Sequence, residues 1–472
     1  MTKRKTVPRN SNQYEYLASI YFVKGSALLD EASQNSHRLY NASLYQLRQA
    51  LFKHQDWLSY QDLNRIFKLK YDQRENMLYH SFPYVQSAQQ TLKEVTHIWK
   101  AWLQALKAYK ANPAKFSGRP RLPKYLKNNT SRHVFYVTNQ NAKVQNGYLI
   151  ISKLNFKLKL KPGIEKIQRV IFKPASGGYK VIVPYKTNKS IAYLPDNGSY
   201  IGLDPGIDNA FACVSSNGNQ PLLINGRALK SVNQYYNKDR SRLKALQAKY
   251  HQLESTINTK QGNKPVYQET RAMKNLTEWR NRKIEQFAHK ASKRIVEYAL
   301  SCEANTIVIG KNKNWKRSSN MGRRNNQNFI GIPHNRMIEL IRYKANLAGI
   351  TVIATNESYT SQTSFLDKEK PCWNNGNKSR QKQGLSPVNR RIYRGLFKSN
   401  SGTLINADVN GAYQIIKKVF PKATFAEGIA GLVLNPVKWS PLIWEFYLAK
   451  KIAGLMSRLY VDVHVKLSVS FI

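Results

Sequence analysis

The spacing of apolar residues changes twice along this chain, near residues 132 and 197, which predicts three regions of different structure. Hydrophobic residues make up 42% of the sequence, a share that supports buried cores and excludes a disordered polypeptide. At ~150 residues per domain, the length of 472 residues also agrees with about three domains. We therefore expect a multidomain α+β protein.

The first region, residues 1–132, is basic and has apolar residues at helical spacing. It predicts one helix over about 33–55 and another over about 83–110. The second helix ends before Pro113, because a proline disfavours helical conformation in the residue that precedes it. A basic loop rich in Gly and Pro follows. Its cations either are solvated or contact phosphates, and the candidates are Arg119, Arg121 and Lys124.

The second region, residues 133–197, contains short segments in which apolar and polar residues alternate, as in β-strands. Asn146-Gly147 and Gly177-Gly178 are typical of hairpin turns. The sequence therefore predicts a small β-barrel or sheet here.

The third region, residues 198–440, begins with three apolar strands in hairpin order and continues as helix, strand, helix, strand and helix. This is the element order of an RNase H-like α/β domain. The first helical stretch, from Leu229 to about Ala299, is broken near Gly262, while Pro333 opens the next helix and Gly349 closes it. The apolar tail, 441–472, is either a packed helix and strand or an unnatural extension.

The charge of the chain predicts a polyanionic partner. Lys and Arg number 76 against 27 Asp and Glu, so the formal net charge is +49. Such an excess repels itself unless a polyanion neutralises it, and it is typical of nucleic-acid-binding proteins. We expect no membrane partner, since there is neither an apolar run of ~18 residues nor a secretory signal. Three cysteines without a Cys-x-x-Cys pair favour an intracellular protein with no disulfide framework and no cysteine zinc site.

Three acidic residues stand at the ends of predicted elements in this acid-poor chain: Asp204, Glu357 and Asp408. Taken singly, each has a local explanation. Asp204 suits a turn before Pro-Gly, and Asp408 suits the first turn of a helix, where the dipole favours an acid by ~0.3–1 kcal/mol. Together at one edge of a sheet, they are the hard oxygen ligands that Mg²⁺ or Mn²⁺ selects. Such a site could hold two ions for phosphodiester hydrolysis.

Several ordered motifs resemble the TnpB family, the RNA-guided nucleases of bacterial insertion sequences that are related to type V CRISPR effectors. The motifs are IGLDPG, HKAS, TIVIGKNKNWK, NMGRRNNQNF, ESYTSQTSFLD and NADVNGAYQI, and the resemblance spans roughly residues 30–439. It implies a helical recognition domain at 1–132, a small β-barrel wedge domain at 133–197 and an RNase H-like RuvC nuclease domain, with a helical insertion, at 198–440. The tail, 441–472, receives no role.

The sequence departs from the TnpB pattern at two places. The usual catalytic glutamate of the family ends the TIVI strand, where this chain has Gly310. The usual zinc knuckle is also missing, because Ser364 stands in place of a cysteine and SFLD replaces the Cys-x-x-Cys partner. We therefore expect no zinc.

The missing glutamate leaves two interpretations open. In one, the glutamate is relocated to Glu357, as in a branch of the family with Gly at the first place and Glu in the ESYTS motif. Neighbouring strands lie ~4.8 Å apart, so a glutamate side chain spans much of the gap toward Gly310. In the other, the chain is a nuclease-dead, TnpB-derived repressor that binds guide RNA and target DNA without cutting. We favour the relocated site; Glu303 is a weaker substitute because it precedes the strand.

The resemblance implies an RNA-guided DNA endonuclease that cuts target double-stranded DNA beside a short flanking motif. Asp204, Glu357 and Asp408 would be its catalytic residues and would hold Mg²⁺ or Mn²⁺. A noncoding guide RNA and the target DNA would be its partners, and the bacterial cytoplasm, at the nucleoid, its location.

A basic run shortly before Asp408 supplies further candidates, Arg390, Arg391 and Arg394, which either contact the scissile strand or are solvated. A cut-and-paste transposase, which also uses three acids, fits the ordered motifs less well.

Overall fold

The computed structural model describes the chain as two compact units, which divide it after residue 190. The described residues are 16–69, 74–127, 132–186, 191–250, 255–259, 262–267, 269–312, 322–358, 360–361, 363–369, 391–393 and 395–441. Both units contain helices and sheets, which confirms the predicted mixed α/β, multidomain fold. The tail after residue 441 lies outside the described residues. No helix in the described ranges is long and apolar enough to cross a membrane.

Four helices build the helical part of the first unit: α1 (Ala27–Phe52), α2 (Tyr60–Leu69), α3 (Arg74–His80) and α4 (Val85–Ala111). The two long helices predicted from the apolar spacing correspond to α1 and α4. α1 begins earlier than predicted because the Ser26 hydroxyl caps it by accepting from the Leu29 amide at 3.4 Å. The apolar residues whose spacing predicts this helix are Leu39, Leu44, Leu47 and Leu51. The first three are buried in the core that α1 shares with α4, whereas Leu51 is exposed.

Two antiparallel sheets share a second core in this unit. The four-stranded sheet has the order β1-β7-β6-β2 and the three-stranded sheet the order β3-β4-β5. Their bounds are β1 (Tyr16–Lys24), β2 (Phe135–Thr138), β3 (Lys143–Gln145), β4 (Tyr148–Ile151), β5 (Phe156–Lys159), β6 (Arg169–Ala175) and β7 (Gly178–Lys186). Both predicted turns join paired strands. Asn146 and Gly147, between β3 and β4, have φ of 49° and 75°, and Gly177, between β6 and β7, has φ of 76°.

Strand β1 differs from the mostly helical structure expected for residues 1–132. It pairs with β7 along its whole length, from Tyr16 opposite Lys186 to Lys24 opposite Gly178. The reason is that, among the described strands, β1 pairs only with β7, which lies more than 150 residues away along the chain. Local spacing carries no sign of such a pairing.

A six-stranded sheet forms the centre of the second unit, with the order β14-β13-β8-β9-β10-β18. Its bounds are β8 (Tyr200–Pro205), β9 (Asn209–Ser215), β10 (Leu222–Asn225), β13 (Thr306–Gly310), β14 (Thr351–Thr355) and β18 (Val437–Trp439). β8, β13 and β14 are parallel to one another. Their carboxyl ends therefore meet at one edge of the sheet.

Helices cover both faces of this sheet. One core holds the apolar faces of α6 and α8, and the opposite core holds α9. The helices are α5 (Arg227–Tyr250), α6 (Arg271–Ser301), α7 (Arg323–Gly331), α8 (His334–Leu347), α9 (Ala407–Val419) and α10 (Ile429–Leu432). The predicted break in the first helical stretch is the hairpin of β11 (Ser255–Thr259) and β12 (Gly262–Val266). A small antiparallel sheet precedes α9: β15 (Arg391–Tyr393), β16 (Leu396–Lys398) and β17 (Leu404–Asn406).

Helix α9 lies unusually close to β8. A Cβ atom on Gly202 would be 2.2 Å from the Ala412 carbonyl oxygen and 2.8 Å from Ile416 Cγ1. A side chain at Gly202 would push the helix away from the strand. This close contact brings the start of α9 to the carboxyl edge of the sheet, where the candidate acids lie.

Candidate active site

Asp204 lies near the carboxyl end of β8 and is partly buried. Burial raises the pKa of its carboxyl group well above the usual range, and the charges of Glu357 and Asp408 raise it further, while Arg391 opposes them. The carboxyl group also faces α9, because a Cβ atom on Gly411 would be 2.7 Å from Asp204 Oδ2. The three predicted acids therefore interact electrostatically at one edge of the sheet.

Asp408 lies in the first turn of α9. The Asn406 side chain caps this helix by accepting from the amides of Asp408, at 3.1 Å, and Val409, at 3.3 Å. Asp408 Oδ2 accepts from Asn209 Nδ2 at 2.8 Å, and Asn209 is the first residue of β9. The location expected from the sequence is observed, together with an amide partner that the sequence analysis did not identify.

Glu357 follows β14 by two residues. Asn312 Nδ2 donates to Glu357 Oε1 at 3.0 Å, whereas Oε2 is buried and has no hydrogen-bond partner. Burial raises the pKa of this carboxyl group to about 7, against the opposing charge of Lys418. Glu357 thus combines one fixed carboxylate oxygen with one buried oxygen that a cation or proton would satisfy.

Gly310 faces the side chain of Glu357. A Cβ atom at position 310 would be 2.9 Å from Glu357 Oε2, 3.0 Å from Glu357 Cβ and 2.7 Å from Ile415 Cδ1. The carboxylate of Glu357 therefore occupies space that a side chain at position 310 would need. Glu303, the weaker substitute, is exposed and precedes β13, at the opposite end of that strand.

These acids match a divalent ion in the type of donor atom, but their side chains are not arranged as a complete ligand set. Among the described residues, no group of three or more His, Cys, Asp or Glu side chains is arranged to hold a metal ion. The orphaned Glu357 Oε2 nevertheless is a hard oxygen donor, of the kind that Mg²⁺ and Mn²⁺ prefer. The carboxylates therefore fit such an ion by donor type and shared location, and side-chain adjustment would have to complete the ligand set.

The basic loop after α4 is attached to the helical core of its unit. Trp102 Nε1 donates to the Pro120 carbonyl oxygen at 3.3 Å, and Asn41 exchanges two hydrogen bonds with the Leu126 backbone at 2.8 and 3.0 Å. The loop's three candidate cations all remain exposed: Arg119, Arg121 and Lys124. Their solvent-facing arrangement is compatible with contacts to phosphates.

The basic run before Asp408 is described only in part. Arg391 is exposed, and its charge acts on Asp204. Arg390 and Arg394 lie outside the described residues.

The segment where the TnpB family has a zinc knuckle is held by hydrogen bonds and packing. The Ser364 amide donates to Glu369 Oε2 at 2.7 Å, and the Phe365 amide donates to Asn410 Oδ1 at 2.9 Å. The Phe365 ring stacks on Tyr413 with centroids 4.1 Å apart. Cys372 lies outside the described residues, and the absence of zinc stays a prediction.

Sequence reasoning missed three side chains that contact the acids or their loops. Asn209 and Asn312 hold carboxylate oxygens, and Lys418, only 7% exposed, donates to the Ser358 carbonyl oxygen at 2.9 Å. A lysine among the buried residues of α9 is a signal that could have identified a partner, because buried lysines need one.

Two family models match the second unit and the end of the first. One, OrfB_IS605, described as a probable transposase, matches residues 182–316, and the other, the Cas12f1-like TNB domain, matches residues 334–415. The predicted resemblance to the TnpB family is confirmed. The first match contains Asp204 and Gly310, and the second contains Glu357 and Asp408. The two matched ranges together therefore include the three acids and Gly310. No curated protein matches the chain.

The chain is also similar to solved structures of Cas12 proteins. One is a Cas12f1–sgRNA–target DNA complex, with 13% identity, a TM-score of 0.31, and 84% of this chain and 98% of that chain covered. Another is CasPhi-2 (Cas12j) bound to crRNA and phosphorothioate-DNA, with 10% identity, a TM-score of 0.37, and 88% and 93% covered. At these TM-scores, nothing about function follows from the likeness.

Proposed function

We propose that the protein is an RNA-guided DNA endonuclease of an insertion sequence, which cuts double-stranded target DNA beside a short flanking motif. Base pairing with the guide RNA reads the target, and the protein reads the flanking motif and the shape of the backbone. The two family matches and the net charge of +49 support this proposal. Its partners are the guide RNA and the target DNA, and its location is the bacterial cytoplasm, at the nucleoid.

The domain assignments belong to the same proposal. Residues 1–132 are the recognition domain, 133–197 the β-barrel wedge domain and 198–440 the RNase H-like RuvC domain, with β1 contributing to the wedge sheet. The strand order β14-β13-β8-β9-β10, with helices on both faces, supports the last of these assignments.

The observation that carries the catalytic proposal is the position of Glu357 against Gly310. The family's glutamate is missing at 310, and the Glu357 carboxylate lies 2.9 Å from where a Cβ atom would stand there. Glu357 therefore replaces the missing residue, and Asp204, Glu357 and Asp408 are the catalytic set.

The chain's own groups prepare this site for a cation. A bound Mg²⁺ or Mn²⁺ ion, held by Asp204, Glu357 and Asp408, would activate water and neutralise charge at the scissile phosphate. Without that charge, burial and mutual repulsion favour protonated carboxyl groups, as the raised pKa of Asp204 and that of Glu357 indicate. Arg391 contributes positive charge next to Asp204 and suits contact with a phosphate of the cut strand.

A nuclease-dead, RNA-guided repressor is the second candidate. Gly310 itself favours it, as does the lack of a complete metal-holding group among the described acids. Such a protein would use the same RNA and DNA contacts and lack only the cutting step.

Cleavage by the guide-loaded protein separates the two candidates. We expect the unmodified protein, loaded with a noncoding RNA from the end of its own element, to cut guided target DNA in Mg²⁺. Glu357→Gln and Asp204→Asn should each abolish cutting and leave target binding unchanged, because each removes a charged ligand and keeps the side-chain shape. Glu303→Gln is the matched control and should cut normally.

Two results would contradict the endonuclease proposal. Guided binding without cutting in either Mg²⁺ or Mn²⁺ would favour the repressor. Full activity of Glu357→Gln would remove Glu357 from the catalytic set.

A further inference from the structure

Asn312 lies opposite Glu357 at the carboxyl edge of the sheet. The parallel register pairs Gly310 with Thr355, and the Lys311 amide continues it by donating to the Thr355 carbonyl oxygen at 2.7 Å. Extending this register by two residues beyond Gly310 and Thr355 places Asn312 opposite Glu357. Because alternate residues of a strand share a face, Asn312 is directed to the face of Gly310.

Three hydrogen bonds join Asn312 to the loop that carries Glu357. Its Nδ2 donates to Glu357 Oε1 at 3.0 Å. Its Oδ1 accepts from the Glu357 amide at 3.1 Å and from the Ser358 hydroxyl at 3.4 Å. One side chain therefore fixes both the backbone and the carboxylate of Glu357.

The distribution of these bonds leaves one carboxylate oxygen available. Oε1 is satisfied by the amide, whereas Oε2 is buried without a partner beside Gly310. Leaving a buried oxygen unsatisfied costs stability, so a contact that served the fold alone would be expected to satisfy both oxygens. Asp408 likewise accepts from an asparagine side chain, since Asn209 Nδ2 donates to its Oδ2 at 2.8 Å.

We propose that Asn312 is a positioning residue, which holds Glu357 so that its Oε2, beside Gly310, stays available as a ligand for a divalent cation. This inference rests on the proposed catalytic function of Glu357. Loss of a partner that orients a ligating side chain typically weakens metal binding by about 10–100-fold, because the partner fixes the ligand geometry before the ion binds.

Metal binding by the guide-loaded protein, without target DNA, tests the inference directly. The variants are Asn312→Leu, which keeps the branched heavy-atom skeleton of the side chain without its hydrogen-bonding groups, and Asn312→Ala, which removes both. Titration with Mn²⁺, followed by electron paramagnetic resonance, should show both binding Mn²⁺ about 10–100-fold more weakly than the unmodified protein. Asn356→Ala is the matched control. Asn356 is an exposed amide of the same loop whose Oδ1 accepts from the Ser358 amide, and Mn²⁺ affinity should not change.

Two further readouts separate positioning from a structural effect. The Mn²⁺ concentration for half-maximal cutting should rise in the Asn312 variants, while the rate at saturating Mn²⁺ recovers toward that of the unmodified protein. Asn312→Leu should also add no further loss of Mn²⁺ affinity in a Glu357→Gln background, because its effect passes through that carboxylate. Thermal unfolding and guide RNA binding identify any variant that fails to fold.

The outcomes distinguish this inference from the proposed function. Unchanged Mn²⁺ affinity in both Asn312 variants, with reduced affinity in Glu357→Gln, overturns the positioning role alone. Unchanged Mn²⁺ affinity in Glu357→Gln, or no Mn²⁺ binding by the unmodified protein, overturns the function of Glu357 and this inference with it.

Discussion

At the scale of single residues, Gly310 and Glu357 occupy one space, and a reciprocal exchange tests this. Gly310→Glu alone should reduce cutting by at least about 100-fold, because the new Cβ would displace a carboxylate from its working position. Glu357→Gly alone should be equally impaired, since it removes the carboxylate. The variant that combines both substitutions should recover to within about tenfold of the unmodified rate, because the carboxylate is then supplied by position 310 of β13 instead of by the loop after β14. Single-turnover cleavage in Mg²⁺ measures all three.

The control for this exchange is Gly310→Gln combined with Glu357→Gly. It restores the side chain without the charge and should remain inactive. If the variant that combines Gly310→Glu with Glu357→Gly folds and binds its guide but stays as inactive as the single variants, the two positions are not equivalent.

The sequence was sufficient to find the acids and insufficient to find what holds them. Asp204 and Glu357 stand near the ends of apolar strands and Asp408 begins a helix, so local pattern alone singled out the three residues. That they meet at one edge of the sheet was an expectation that also required the fold. The contact between Asn312 and Glu357 depends on how β13 and β14 align across 45 residues of chain. Nothing local encodes that register, and no spacing rule marks Asn312 as different from other loop asparagines.

At the scale of elements, the helices and hairpins were predictable because their signals are local: caps, apolar stripes and Asn-Gly turns. Strand β1 was not, since its partner is β7, and the close contact of α9 with β8 at Gly202 was not either. Both depend on tertiary contacts between distant segments, which override local propensity.

The segment 363–369 gives a prediction at this scale. Phe365→Ala should lower the free energy of unfolding of its unit by about 3–5 kcal/mol, because the ring is 6% exposed and packs on Tyr413. A zinc-selective chelator in Mg²⁺ buffer should leave the unfolding temperature unchanged, because hydrogen bonds and ring packing hold this segment and no zinc is expected. Thermal unfolding with elemental analysis measures both effects.

The comparison variant for this prediction is Leu404→Ala, an apolar truncation of a side chain that is 37% exposed, which should cost much less. Stoichiometric zinc in the purified protein, or a lower unfolding temperature with the chelator, would show that Ser364 and its neighbours form a metal site after all.

At the scale of the whole molecule, we expect the net charge of +49 to make the proposed nucleic-acid binding depend steeply on salt. Guide RNA affinity should fall by at least about 10³-fold between 50 and 200 mM salt, if six or more phosphates are neutralised.

The exposed cations of the basic loop after α4 should supply part of the salt dependence of one of two binding reactions. These are the binding of guide RNA by the protein and the binding of target DNA by the guide-loaded protein. For that reaction, the logarithm of the binding constant falls linearly with the logarithm of the salt concentration. Replacing Arg119, Arg121 and Lys124 with Gln should make this slope less steep by about two to three, since each lost phosphate contact removes ~0.7–0.9. The exchange of Arg for Lys and Lys for Arg at the same positions keeps the charge and should keep the slope. Filter binding across a salt series measures the slope for guide RNA and the slope for target DNA. If neither slope changes in the Gln variant, the loop is solvated and the charge acts from other surfaces.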